Sequence, residues 1–208
     1  MLSLGRQGQA GEESTPRVLS ILSKVIEKLV GRNEKVVDGM KSGTLGKSLN
    51  SFHGVRAPNI SIPKYLERIY KYTNCSPSCL VVGYVYIDRL VHKHPDSLVL
   101  SFNVHRLLLT TVLVASKMLD DVHYNNALYA RVGGVTNAEL NKLEIELLFL
   151  LDFGVMVSCG IFESYCLHLE KEGAFHNIHR SIPSASLHDV ADISQQYTQT
   201  SSPPQPFD

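Results

Sequence analysis

Across 208 residues the 20 Lys and Arg cancel the 20 Asp and Glu, leaving no net charge and no long-range field toward nucleic acid or anionic lipid. A 44% hydrophobic composition supplies one core with extensions rather than two domains. Four cysteines, with no charged-then-apolar leader, are expected to be reduced thiols of an intracellular protein of the nucleus and/or cytoplasm, and no apolar run approaches the ~20 residues that cross a bilayer.

Residues 1–14 are rich in Gly, Gln and Glu and are expected to be disordered. Thr15 as N-cap and Pro16 at the first position open an amphipathic helix carried by Val18, Leu22, Val25 and Leu29, predicted over 15–31 with Gly31 as its stop. With few lysines and no aromatics, this helix is expected to dock on the protein's own bundle rather than on a membrane. Residues 32–59, rich in Gly, Ser and Lys, read as a surface linker. A short helix follows over 62–73, with Pro63 in its first turn and Leu66, Ile69 and Tyr70 facing in. Ser76 and Pro77 start another, in which Leu80, Gly83, Tyr84, Ile87, Leu90 and Val91 keep helical spacing as far as His94 and Pro95. The run from Val81 to Ile87 also has strand propensity, but its period and length favour a helix.

The chain is organised around residues 103–154. In the first helix of this stretch Val104, Leu107, Leu108, Thr111, Ala115, Met118 and Leu119 form one face, and Leu109, Val112 and Leu113 make the other side apolar as well. Such a helix belongs in the middle of a bundle. Only a stripe of Arg106, Thr110 and Lys117 is expected to meet solvent or a partner. A short helix over 124–132 ends at Gly133 and Gly134, a natural left-handed stop. Thr136 and Glu139 then form a capping box for a helix whose core residues are Leu140, Leu143, Leu147, Leu150 and Leu151. Glu144 lies at the edge of that apolar surface, where a carboxylate needs a cation, and Lys117 is the evident candidate. A last packing helix is expected within 155–173, from about 158 to 172, followed by a disordered tail over 174–208.

No metal, cofactor or catalytic constellation emerges. Cys75 and Cys79, one helical turn apart, and the pairs His92 with His94 and His176 with His179 find no second pair to complete a zinc site, so packing cysteines and surface histidines are the expectation. Nucleophile, zincin and phosphate-loop motifs are absent. Asp88, with Arg89 beside it late in an apolar helix, is expected to pair with a basic residue or a helix end and fix packing. Lys117 can likewise be explained as a cation answering the helix dipole. Periodicity alone leaves its functional and structural readings even.

The runs Tyr86-Ile87-Asp88-Arg89-Leu90, His105-Arg106-Leu107-Leu108-Leu109, Ala115-Ser116-Lys117 with Asp120-Asp121, Tyr124-Asn125-Asn126, Gly133-Gly134-Val135 and Glu139 to Glu144 together resemble the cyclin box. The likeness covers about residues 60–154 and is greatest to the plant P-type, or U-type, cyclins, relatives of the fungal phosphate-signalling cyclins. It implies an all-α fold: a five-helix cyclin box with an added N-terminal and a C-terminal helix. It also implies a regulatory subunit, not an enzyme, that binds and activates a cyclin-dependent protein kinase in cell-cycle or nutrient signalling. Lys117 and Glu144 match the pair that reaches the kinase's regulatory helix; Met118 and Leu148 match the adjacent apolar pocket, while Asp88, Arg89, Gly133 and Gly134 are structural. Ile62-Pro63-Lys64-Tyr65-Leu66 departs from the substrate-docking start of mitotic cyclins. No nucleic acid, membrane or small-molecule ligand is expected. The alternative is a cyclin-fold adaptor of transcription that bridges proteins without activating a kinase.

Overall fold

The computed structural model describes residues 16–39, 46–121 and 124–179, the side chains of 174–179 excepted. They form seven α-helices: α1 Arg17–Gly39, α2 Ile62–Thr73, α3 Pro77–Lys93, α4 Val104–Leu119, α5 Asn126–Gly133, α6 Asn137–Leu150 and α7 Cys159–His179. A 3-10 turn at Asn50–Phe52 is the other regular element, and no strand occurs among the described residues. Contacts divide the chain into Met1–Gly173 and Ala174–Asp208, and the core lies in the first unit. The expected disordered start, residues 1–14, lies outside the described residues, as do Thr15 and the tail beyond residue 179.

Every residue of α4 from Leu107 to Ser116 is buried, and α2, α3, α5 and α6 all pack on it. A helix surrounded in this way must satisfy its polar side chains internally. Thr110 donates to the Arg106 carbonyl (2.7 Å), Thr111 to that of Leu108 (3.2 Å) and Ser116 to that of Leu113 (3.0 Å). Thr110 is therefore fully buried, contrary to its expected place in a solvent-facing stripe. Its back-bond hides the hydroxyl that made it look polar. Gly83 brings α3 close, since a Cβ there would sit 3.2 Å from Val112 Cγ2.

The β-branched run of α3 is helical because the bundle buries it nearly all round, from Cys79 to Gly83 and again from Val85 to Ile87. Asn74, in the left-handed region at φ 49°, ends α2, and Ser76 opens α3. Asp120, just past α4, accepts from Ser76 N (3.3 Å) and Cys79 Sγ (3.2 Å). All four cysteines are free; burial above all pushes the Cys79 thiol up to about 12, so this is a packing residue.

Two predicted boundaries fail together. The first helix does not stop at Gly31 but runs on to Gly39, and residues 32–59 are not simply a linker. Past Gly31, Asn33 Nδ2 donates to the Val99 carbonyl (2.9 Å) and Glu34 Oε1 accepts from Ser101 N (3.3 Å). These long-range bonds hold the extra turns against the cost of glycine, about 1 kcal/mol. Leu49 and Phe52, within the predicted linker, are buried in the core. At the other end α7 passes residue 172 to reach His179, and residues 155–158 precede it without helix.

Candidate partner-binding site

Lys117 stands in the last turn of α4 and Glu144 in the middle of α6, with Nζ 2.5 Å from Oε1. Their side chains are 30% and 16% exposed, so the pair is half-desolvated and open on one side. Glu144 Oε2 accepts from Asn126 Nδ2 at 2.6 Å, and the same amide reaches Asn141 Oδ1 at 2.8 Å. Asn126 is thus a third member that periodicity did not single out; the Tyr124-Asn125-Asn126 motif was its only trace. Asn125 caps α5 by accepting from Leu128 N (3.1 Å), which fixes where its neighbour begins the helix. One side chain each from α4, α5 and α6 therefore meets at Glu144.

Large apolar side chains are exposed on the same helices and just beyond them. Met118 and Leu119 end α4, Ile145 and Phe149 lie one turn apart on α6, and Phe153 and Met156 follow. Leu148, matched to the expected pocket with Met118, is partly buried against the core. Phe153 packs edge-on to Phe149 with centroids 5.3 Å apart. It is held there by a strained turn, Asp152 at φ 48° and Phe153 at φ 56°. Left-handed backbone costs a non-glycine residue roughly 1–2 kcal/mol. The compensation is local: Phe153 N donates to the Leu148 carbonyl (2.8 Å), and Lys93 pairs with the Asp152 carboxylate. His94 Nε2 lies 3.2 Å from the Leu150 carbonyl at the end of α6.

The four residues expected to be structural lie elsewhere in the bundle. Asp88 accepts from the Tyr165 hydroxyl (2.5 Å), with His92 Nδ1 at 3.4 Å, so its main partner is a phenol of α7 rather than a lysine, an arginine or a helix end. Arg89 donates to the Gly154 and Met156 carbonyls (2.6 and 3.0 Å) and pins the approach to α7. Gly133 packs against α4, where a Cβ would lie 2.1 Å from Leu109 Cδ2, and Gly134 at φ 74° is the left-handed stop. Only half of the capping box forms: Thr136 accepts from Glu139 N (3.1 Å), but the Glu139 carboxylate turns to Arg106 Nε (2.7 Å). The guanidinium of α4 is a stronger partner than a backbone amide. Among the described residues no three His, Cys, Asp or Glu converge to hold a metal, and no helix is long and apolar enough to cross a membrane.

A buried central helix packed on by four others, with a Lys–Glu pair in its last turn, is an arrangement of the cyclin type. The Cyclin family profile matches residues 17–155. Over 163 residues the chain is 71% identical to Cyclin-U1-1 of Arabidopsis thaliana, covering 78% of this chain and 77% of that one. It is 46% identical over 156 residues to Cyclin-U4-1 of the same plant (75% and 76% covered) and 45% over 167 residues to Cyclin-P4-1 of Oryza sativa subsp. japonica (80% and 78%). The chain belongs to the cyclin family, on its plant P-type or U-type branch. Cyclins are regulatory proteins whose general partner is a protein kinase, and that role comes with the family.

Proposed function

We propose that this cyclin binds and activates a cyclin-dependent protein kinase through the surface around Lys117 and Glu144, with Met118 and Leu148 lining the adjoining apolar contact. Cell-cycle or nutrient signalling is the setting that the likeness to phosphate-signalling cyclins suggests. The observation that carries the reading is the Lys117–Glu144–Asn126 cluster, partly desolvated, with exposed Met118 and Ile145 next to Lys117 and Glu144 in the chain. A charged pair among apolar anchors is the composition of an interface hot spot. The cyclin supplies no catalytic group: by gripping the kinase's regulatory helix it shifts the kinase toward the state in which its own Lys–Glu pair and metal ligands are assembled. The test is capture of kinases from extract on tagged protein, with histone phosphorylation assayed on the beads. Wild type is expected to capture activity and the Lys117→Glu, Glu144→Lys double variant none. Kinase captured without activity would replace activation with the adaptor reading.

A further inference from the structure

On α2, remote in sequence from the Lys117 cluster, the chain begins one wall of a second concavity of about 430 Å³. Its lining includes Arg56, Arg68 and Arg106 together with Tyr65, His105, Val132 and Val135, and it contains no carboxylate. Arg106 is engaged by Glu139 at 2.7 Å. Arg56 and Arg68 are exposed and make no ion pair or side-chain hydrogen bond among the described residues. Three guanidiniums against one carboxylate leave two positive charges facing the space. Burial raises the Tyr65 phenol, and the nearby charges of Arg106 and Arg68 act on it in the opposite sense.

The wall itself is built. His105 is 8% exposed, and its Nε2 lies 2.9 Å from the Ile60 carbonyl, fixing the loop that carries Arg56. Gly54 N donates to the Phe102 carbonyl (2.8 Å), and a Cβ at Gly54 would strike Arg106 Nη1 at 2.3 Å, so glycine is what lets loop and guanidinium approach. His105 Nδ1 is the one buried side-chain nitrogen or oxygen among the described residues without a hydrogen-bond partner.

We propose that this concavity docks a segment of a partner protein carrying phosphoserine or phosphothreonine, its phosphate held by Arg56 and Arg68 and its flanking apolar side chain set against Val132 and Val135. Phosphate is favoured over a carboxylate by number: it brings a charge of about −1.5 to −2 and three acceptor oxygens to two free guanidinium forks. The site is independent of the kinase-binding surface and would bring a previously phosphorylated protein to the complex.

The test is fluorescence anisotropy with the full chain and three labelled nonapeptide libraries, degenerate except for a central phosphoserine, serine or glutamate. The phosphoserine library is expected to bind, the serine library not to bind, and Arg56→Glu with Arg68→Glu to weaken binding about tenfold or more. Both arginines are exposed, so the double variant should melt with wild type, and Lys117→Glu should bind phosphopeptide as wild type does. Equal binding of serine or glutamate libraries, or phosphopeptide binding that survives the double arginine variant, would overturn the proposal. Kinase capture by that same variant separates a failure here from a failure of the kinase-binding reading.

Discussion

Replacing Lys117 or Glu144 asks two questions of one ion pair: what it does for the fold and what it does for a partner. Exposed pairs are worth about 0.2–1 kcal/mol, and breaking a fully buried pair costs about 3–5 kcal/mol. At 30% and 16% exposure, and with Asn126 still donating to the carboxylate at 2.6 Å, Lys117→Ala should cost about 1 kcal/mol of stability, near the exposed end. For a chain of this size that is about 2–4 °C in Tm. If the pair meets the kinase, losing one member of a desolvated interfacial pair costs about 2–5 kcal/mol, or roughly 30-fold and upward in Kd. The charge-swapped variant, Lys117→Glu with Glu144→Lys, separates the two roles, because the exchanged carboxylate and ammonium could still pair with each other. It should recover most of the stability lost by either alanine variant while leaving kinase capture abolished. Urea denaturation gives the first quantity and titration against the captured kinase the second. A swap that restored kinase binding along with stability would refute the reasoning, since the pair would then matter only as an internal strut.

Ile145→Ala should change stability by no more than about 0.5 kcal/mol, its side chain being exposed, yet weaken kinase capture; unchanged capture in the same titration would remove it from the interface. Gly133→Ala should cost about 1–3 kcal/mol in a urea melt, because its Cβ meets the buried Leu109 side chain, and Leu109→Ala in the same chain should recover part of that loss. The pH dependence follows from His105, whose pKa burial lowers below 6.5 even though the bond to Ile60 acts the other way. With the folded value below the unfolded one, its contribution is whole above about pH 6.5 and is lost as pH falls through the folded value. His53, also lowered by burial, acts in the same direction. The urea midpoint should therefore be lower at pH 5.5 than at pH 7.5, and His105→Gln should flatten the difference; an unaltered slope would contradict the assignment. Arg89→Ala removes two bonds to the chain before α7 and should speed amide exchange in the first turns of α7, read by mass spectrometry.

What the sequence made legible was local. Apolar spacing, the Pro63 and Pro77 starts and the Gly134 stop placed α2, α3, α5 and the start of α6 to within about two residues, because each signal sits on the residues that it governs. Lys117 and Glu144 could be paired from sequence because each lies at the edge of an apolar face on one of the two helices around which the chain is organised. The misreadings involve distant partners. Gly31 has the chemistry of a stop, but the bonds that override it join Asn33 to Val99 and Glu34 to Ser101, partners 66 and 67 residues apart. Glu139 has the right spacing for a capping box, yet Arg106, 33 residues earlier, takes its carboxylate. The arginine-lined concavity was illegible for the same reason: its walls come from the loop before α2 and from α2, α4 and α5, and no one stretch of sequence contains its charge.

The bonds from Asn33 and Glu34 to the chain around Val99 also have a temporal meaning. The first helix of the bundle to leave a ribosome is held by residues made 66 or 67 positions later. At about 5–20 residues per second, synthesis of that interval takes about 3–13 seconds. Until α2 and α3, on which α1 packs, have also emerged, Leu19, Leu22, Ile26 and Val30, buried in the finished protein, have nothing of their own chain to rest on. For that interval the newborn α1 presents an apolar face that only later parts of the chain will cover.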